Sequence, residues 1–152
     1  MTAEDTVAYL NGLIETCRNG ELGYAEAARL VEDTRLQTIL EGYSKERAGF
    51  VKTLQAEVRK LGGTPAESGT LGGALHRGWM EFKSVATLGD GASILAACET
   101  GESSAWTHYK EATDSQISGE SRALVAKQFE KVKEAIAHLQ HLQGELSVEK
   151  PD

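Results

Sequence analysis

The sequence predicts an all-α chain folded as a four-helix bundle, two antiparallel helical hairpins joined by a long crossover that contains a short helix. Three observations carry this. Apolar residues recur at alternating spacings of three and four through both halves of the chain, as they do on helices that bury one face. Eight of the sixteen glycines fall between Gly62 and Gly91, parting the chain into two long halves. Turn signals near residues 33 and 118 then divide each half in two.

The first helix is expected over 4–32, with Val7, Leu10, Ile14, Cys17, Glu21, Tyr24, Ala28 and Val31 along its seam. A break at Asp33-Thr34, where either side chain can cap a helix, opens the second over 35–61, with a seam through Ile39, Tyr43, Glu46, Phe50, Leu54 and Leu61. Leu61-Gly62-Gly63-Thr64-Pro65 ends it. The crossover spans 62–90, and within it Leu71, Leu75, Trp79, Phe82 and Val85 or Ala86 keep one apolar helical face that leaves His76 aside.

The third helix, 91–117, presents Leu95, Cys98, Glu102, Ala105, Tyr109, Ala112 and Gln116. After Ser118-Gly119-Glu120-Ser121, the fourth covers 120–146 with an apolar seam of Val125, Phe129, Val132, Ile136, Leu139 and Leu146. Short turns make each pair an antiparallel hairpin, and the crossover is long enough to run the length of the bundle. That connectivity is ferritin-like. The halves share a short echo, Cys17-Arg18-Asn19-Gly20-Glu21 against Cys98-Glu99-Thr100-Gly101-Glu102.

A length of 152 residues with 40% hydrophobic content suits one domain over 1–152. No apolar run reaches the roughly 18 residues of a membrane span, and the acidic start Met1-Thr2-Ala3-Glu4-Asp5 is unlike a secretory signal. A cytoplasmic protein without a membrane partner is expected. A net charge of −7 opposes a phosphate backbone, which excludes nucleic acid as a partner. Cys17 and Cys98 have neither zinc-ligand spacing nor, at roughly 12 Å apart in helical height, reach for a disulfide.

Glutamates interrupt three of the four seams. Counted from the turn at 33, Glu21 lies twelve residues before it and Glu46 thirteen after, and Glu102 lies eleven past the start of the third helix. All three then share one level. Buried carboxylates need compensation, and inward-facing ones from several helices can hold iron or manganese, as in di-metal bundles built from single glutamates and Glu-x-x-His pairs. Glu21, Glu46 and Glu102 are therefore candidate metal ligands. Gly49 stands where the histidine after Glu46 belongs, and Val132 and Ile136 occupy the fourth helix at that level. The competing reading is a metal-free polar layer in which the glutamates bond Tyr24, Tyr43, Tyr109 or Arg47.

Glu130, Glu134, His138 and His141 fall roughly opposite the fourth seam and are expected to face water or another subunit. Trp79, Trp106 and the tyrosines could line a small-molecule pocket, and Trp106 beside its seam suits self-association. No catalytic or cofactor-binding residue is assigned.

The segment Gly73-Ala74-Leu75-His76-Arg77-Gly78-Trp79, preceded by Leu61-Gly62-Gly63 and Pro65, resembles the signature of an uncharacterised bacterial family of ferritin-like four-helix-bundle proteins. The resemblance covers nearly the whole chain. It implies the ferritin-like fold and an association with stress responses, and it brings no reaction or substrate. Two functions are therefore expected to compete: a bundle protein acting by assembly or protein contact, with at most a degenerate carboxylate metal site, and a di-metal carboxylate oxidase or iron-handling protein.

Overall fold

The computed structural model describes residues 1–67 and 90–149. Four long helices make up the bundle: α1, Ala3–Leu30; α2, Thr34–Lys60; α3, Gly91–Asp114; and α4, Gly119–Glu149. Helix α1 packs against α2 and α3, and α4 packs against α3 and α2, so α2 and α3 stand diagonally opposite. The expected short crossover helix, with Trp79 and His76, lies outside the described residues.

Local chemistry sets the helix ends. Thr2 and Asp5 form a reciprocal capping box, each side chain accepting from the other's backbone N–H (3.2 and 3.1 Å). Asp33 caps α2 by accepting from the Leu36 N–H at 3.0 Å, and Asp90 caps α3 through the Ala92 N–H at 3.1 Å. Helix α2 closes on Gly62, whose φ of 85° suits the left-handed position that follows a helix. The Gly62 N–H donates to the Arg59 carbonyl and the Gly63 N–H to that of Val58, both at 2.9 Å.

Gly63 then passes so close to α1 that a Cβ there would lie 2.8 Å from both Val7 methyls. Asn11 fixes the strand of chain beyond, donating to the Thr64 carbonyl at 3.1 Å and accepting from the Ala66 N–H at 2.7 Å. Helix α3 stops at Asp114, where Ser115 turns back onto the Ala112 carbonyl through both its N–H and its hydroxyl.

The core consists of two apolar clusters stacked along the bundle. One gathers Leu10, Ile14, Val51, Leu54, Tyr109, Phe129 and Val132, the other Tyr24, Leu40, Leu95, Cys98, Leu139 and Leu142. In α2 the buried face runs through Leu36, Leu40, Arg47, Val51, Leu54 and Val58, one residue on from the expected seam at Leu40, Arg47 and Val51 and coinciding with it at Leu54. Ile39, Tyr43 and Phe50 flank it, partly buried. Adjacent apolar pairs, Ile39-Leu40 and Phe50-Val51, leave the phase of the helix open, and an arginine on the buried face hides it further. The consequence falls on the layer between the clusters.

Candidate polar centre

Arg47 stands in α2 between Leu40 and Val51, and Glu102 in α3 between Cys98 and Ala105, where the two apolar clusters meet. Both side chains are inside, 1% and 0% exposed. Arg47 donates Nη2–H to Glu102 Oε2 at 2.7 Å, and its Nη1 pairs with Oε1. This bidentate fork satisfies both carboxylate oxygens at once. Burial works against the charge of Arg47, and the carboxylate of Glu102 more than offsets it, so the guanidinium is held above its ordinary pKa. The ring of Tyr24 lies 5.8 Å from Arg47 Cζ and that of Phe50 5.4 Å, giving the cation two aromatic faces.

Glu46, the sequence neighbour of Arg47, is 31% exposed and lies 3.5 Å from the same guanidinium. Glu21 is 24% exposed and pairs with Arg18 at 2.7 Å. Its backbone belongs to the same level, since its carbonyl accepts from the Ser44 hydroxyl at 2.8 Å and Gly20 beside it faces the Arg47 stem. So Glu21, Glu46 and Glu102 share a level, but only Glu102 points into the dry interior. Helix α4 contributes the fully buried Ala135 there.

A di-metal carboxylate centre needs facing ligands from all four helices. These residues do not fit one: Arg47 covers both oxygens of Glu102, the half-buried His138 of α4 is engaged by the Tyr43 hydroxyl at the edge of the level, and Gly49 is exposed after Glu46. Among the described residues no three His, Cys, Asp or Glu are grouped to hold a metal ion.

Two helical turns from Glu102, a second polar level crosses the bundle. Tyr109 gives its one hydroxyl proton to Gln128 Oε1 at 2.7 Å, which leaves its oxygen to accept from the Cys17 thiol at 2.9 Å. Gln128 Nε2 reaches the Phe50 carbonyl at 3.5 Å. One chain of polar groups thus touches α1, α3, α4 and α2. Burial pushes the Cys17 thiol up to about 11, with the charge of Arg47 pulling the other way. Burial also raises Tyr109 and Tyr24 well above the ordinary phenol value, the charge of Glu102 adding to it at Tyr24.

Tyr43 sits at the edge of the first level. Its hydroxyl bonds His138 Nδ1 at 2.6 Å across the α2–α4 seam, and its ring lies 5.2 Å from that of Tyr24. Burial, with Glu46 and Glu102 behind it, pushes Tyr43 up to about 12. His138 is therefore half-buried, in contrast to the expected water-facing position, while His141 stays outside and pairs with Glu145 at 3.0 Å. Cys17 and Cys98 are both free and buried. Gln128 is not apparent from residue spacing, because a glutamine one residue before a seam phenylalanine looks like a surface position.

No curated protein matches the chain. Among solved structures, a bacterioferritin-related protein from Bacteroides fragilis, described as a dodecameric thioferritin, superposes with a TM-score of 0.74 over 97% of this chain and 89% of its own. The two are 14% identical, so the likeness is one of fold, a ferritin-like four-helix bundle. No helix among the described residues is long and apolar enough to cross a membrane. A family model described as "Domain of unknown function (DUF2383)" matches residues 5–115, which hold Arg47, Glu102, Cys17 and Tyr109, and the chain belongs to that family.

Proposed function

We propose that this chain is a cytoplasmic, single-domain ferritin-like protein that works by assembly and protein contact, with the Arg47 guanidinium in place of a metal at the centre of the bundle. The observation that carries the reading is the buried bidentate pair of Arg47 and Glu102. A guanidinium there supplies the positive charge that a carboxylate level otherwise takes from iron or manganese. It offers no open coordination position and no redox chemistry. The dodecameric state of the Bacteroides fragilis protein supports assembly as the use of such a scaffold, and the family resemblance implies a place in stress responses.

Anaerobic loading with Fe(II), followed by oxygen, tests this reading. The expected result is no retained iron and no ferric-oxo absorbance. About two irons per chain, lost on Glu21→Ala and on Glu102→Ala, would replace it with the di-metal oxidase or iron-handling function.

A further inference from the structure

Trp106 is a large side chain on the outer face of α3, 38% exposed, with its ring edge-on to Phe129 of α4 at 5.9 Å. A depression of about 320 Å³ opens on one side of it, towards Lys110, Thr113 and Lys133, and another of about 300 Å³ on the other, towards Ser103, Thr107 and Ile136. One face of the molecule therefore carries a partly exposed indole flanked by two shallow depressions.

The rim is balanced in charge although the chain as a whole carries −7. Lys110 pairs with Asp114 at 2.8 Å and Lys133 with Glu130 at 3.1 Å, while Lys133 Nζ also caps the Phe129 ring at 4.2 Å. Two acidic copies repel each other over most of their surfaces. On this face each lysine is already paired with a carboxylate of its own helix, so two copies can meet here with less repulsion than elsewhere on an acidic surface.

Resting on the assembly reading above, we propose that the α3–α4 face is an isologous contact between two copies of this chain, Trp106 of each entering the hollow beside Trp106 of the other. A self-complementary patch of this kind is what two-fold symmetry requires. Trp at the centre of a contact, ringed by polar pairs, also suits an anchoring residue that buries about 150–250 Å².

The test is the mass of the full chain in solution, by sedimentation velocity, for wild type, Trp106→Ala and Ser103→Arg. Ser103 is an exposed helical position, so an arginine there fills the hollow without entering the core. If Trp106→Ala misfolds by circular dichroism, Ser103→Arg alone decides. Wild type is expected at an even number of chains, and either variant to fall to half that mass or less. An assembled wild type whose mass both folded variants keep overturns this surface and leaves the assembly reading standing. A wild type that stays monomeric at every concentration overturns both, and would give the hollow to a small molecule or a different protein.

Discussion

Arg47 of α2 and Glu102 of α3 join the two hairpins across the diagonal of the bundle, the longest path between helices that the fold offers. The energetic consequence is unequal for one partner and for both. Arg47→Met leaves a carboxylate in the dry interior with no cation, and is expected to cost about 3–5 kcal/mol. Glu102→Leu strands the guanidinium and should cost a similar amount. The double variant removes both charges and is expected to recover most or all of the loss. Denaturant midpoints of the four proteins check this, and equal losses that simply add would show that the pair is not coupled.

The three glutamates that share this level should differ sharply on truncation. Glu21→Ala and Glu46→Ala each give up a partly exposed ion pair and are expected to lie within about 1 kcal/mol of wild type. Glu102→Ala leaves Arg47 unpaired inside and should lose several times as much. Thermal melts of the three variants, scored side by side, decide the ranking.

Tyr109→Phe removes one oxygen and leaves two buried groups, the Cys17 thiol and the Gln128 carbonyl, without their partner. The expected cost is about 1–3 kcal/mol. Pairing it with Gln128→Leu takes away the second orphan and should return part of that. Urea titration of both variants would expose a purely additive outcome, which would argue that the hydroxyl is not shared as the geometry indicates.

Alkaline pH should unfold the protein earlier than its surface charge suggests. Cys17 ionises near 9 in an unfolded chain and only near 11 in the fold, so the folded state holds a proton between those values that the unfolded state has released. Stability is then full below about pH 9 and falls as pH rises towards 11. Tyr24, Tyr43 and Tyr109 are shifted upward too and extend the decline. The unfolding midpoint measured from pH 7 to 11 checks the direction, and a flat profile would contradict it.

Much of this architecture can be read from residue spacing. Turns at 33 and 118, the Gly62-Gly63 stop and most of the seams of α1, α3 and α4 follow from apolar period and capping chemistry; the exceptions are Glu21, partly exposed beside buried Gly20, Gln116, exposed beyond the end of α3, and Ile136, partly buried beside buried Ala135. The level shared by Glu21, Glu46 and Glu102 came from counting residues outwards from the turn. The phase of α2 cannot be read in the same way: Ile39-Leu40 and Phe50-Val51 fit two adjacent stripes equally well, and the stripe through Ile39 and Phe50 places Glu46 inside and Arg47 at its edge. The carboxylate of Glu102 across the bundle is the main partner that makes an arginine tolerable there, and that neighbour is 55 residues away in sequence. Gln128 was hidden for the same reason, since its acceptor role depends on Tyr109 of another helix.

Heptad seams repeat, and a repeat can be satisfied in more than one alignment. Sliding the second hairpin along the first by seven residues would again set apolar stripe against apolar stripe, but would carry Glu102 about 10.5 Å from Arg47. Both charges would then be stranded in hydrocarbon. The diagonal pair thus works as a vernier mark: it adds little to how tightly the hairpins hold, and it admits only one setting at which they close.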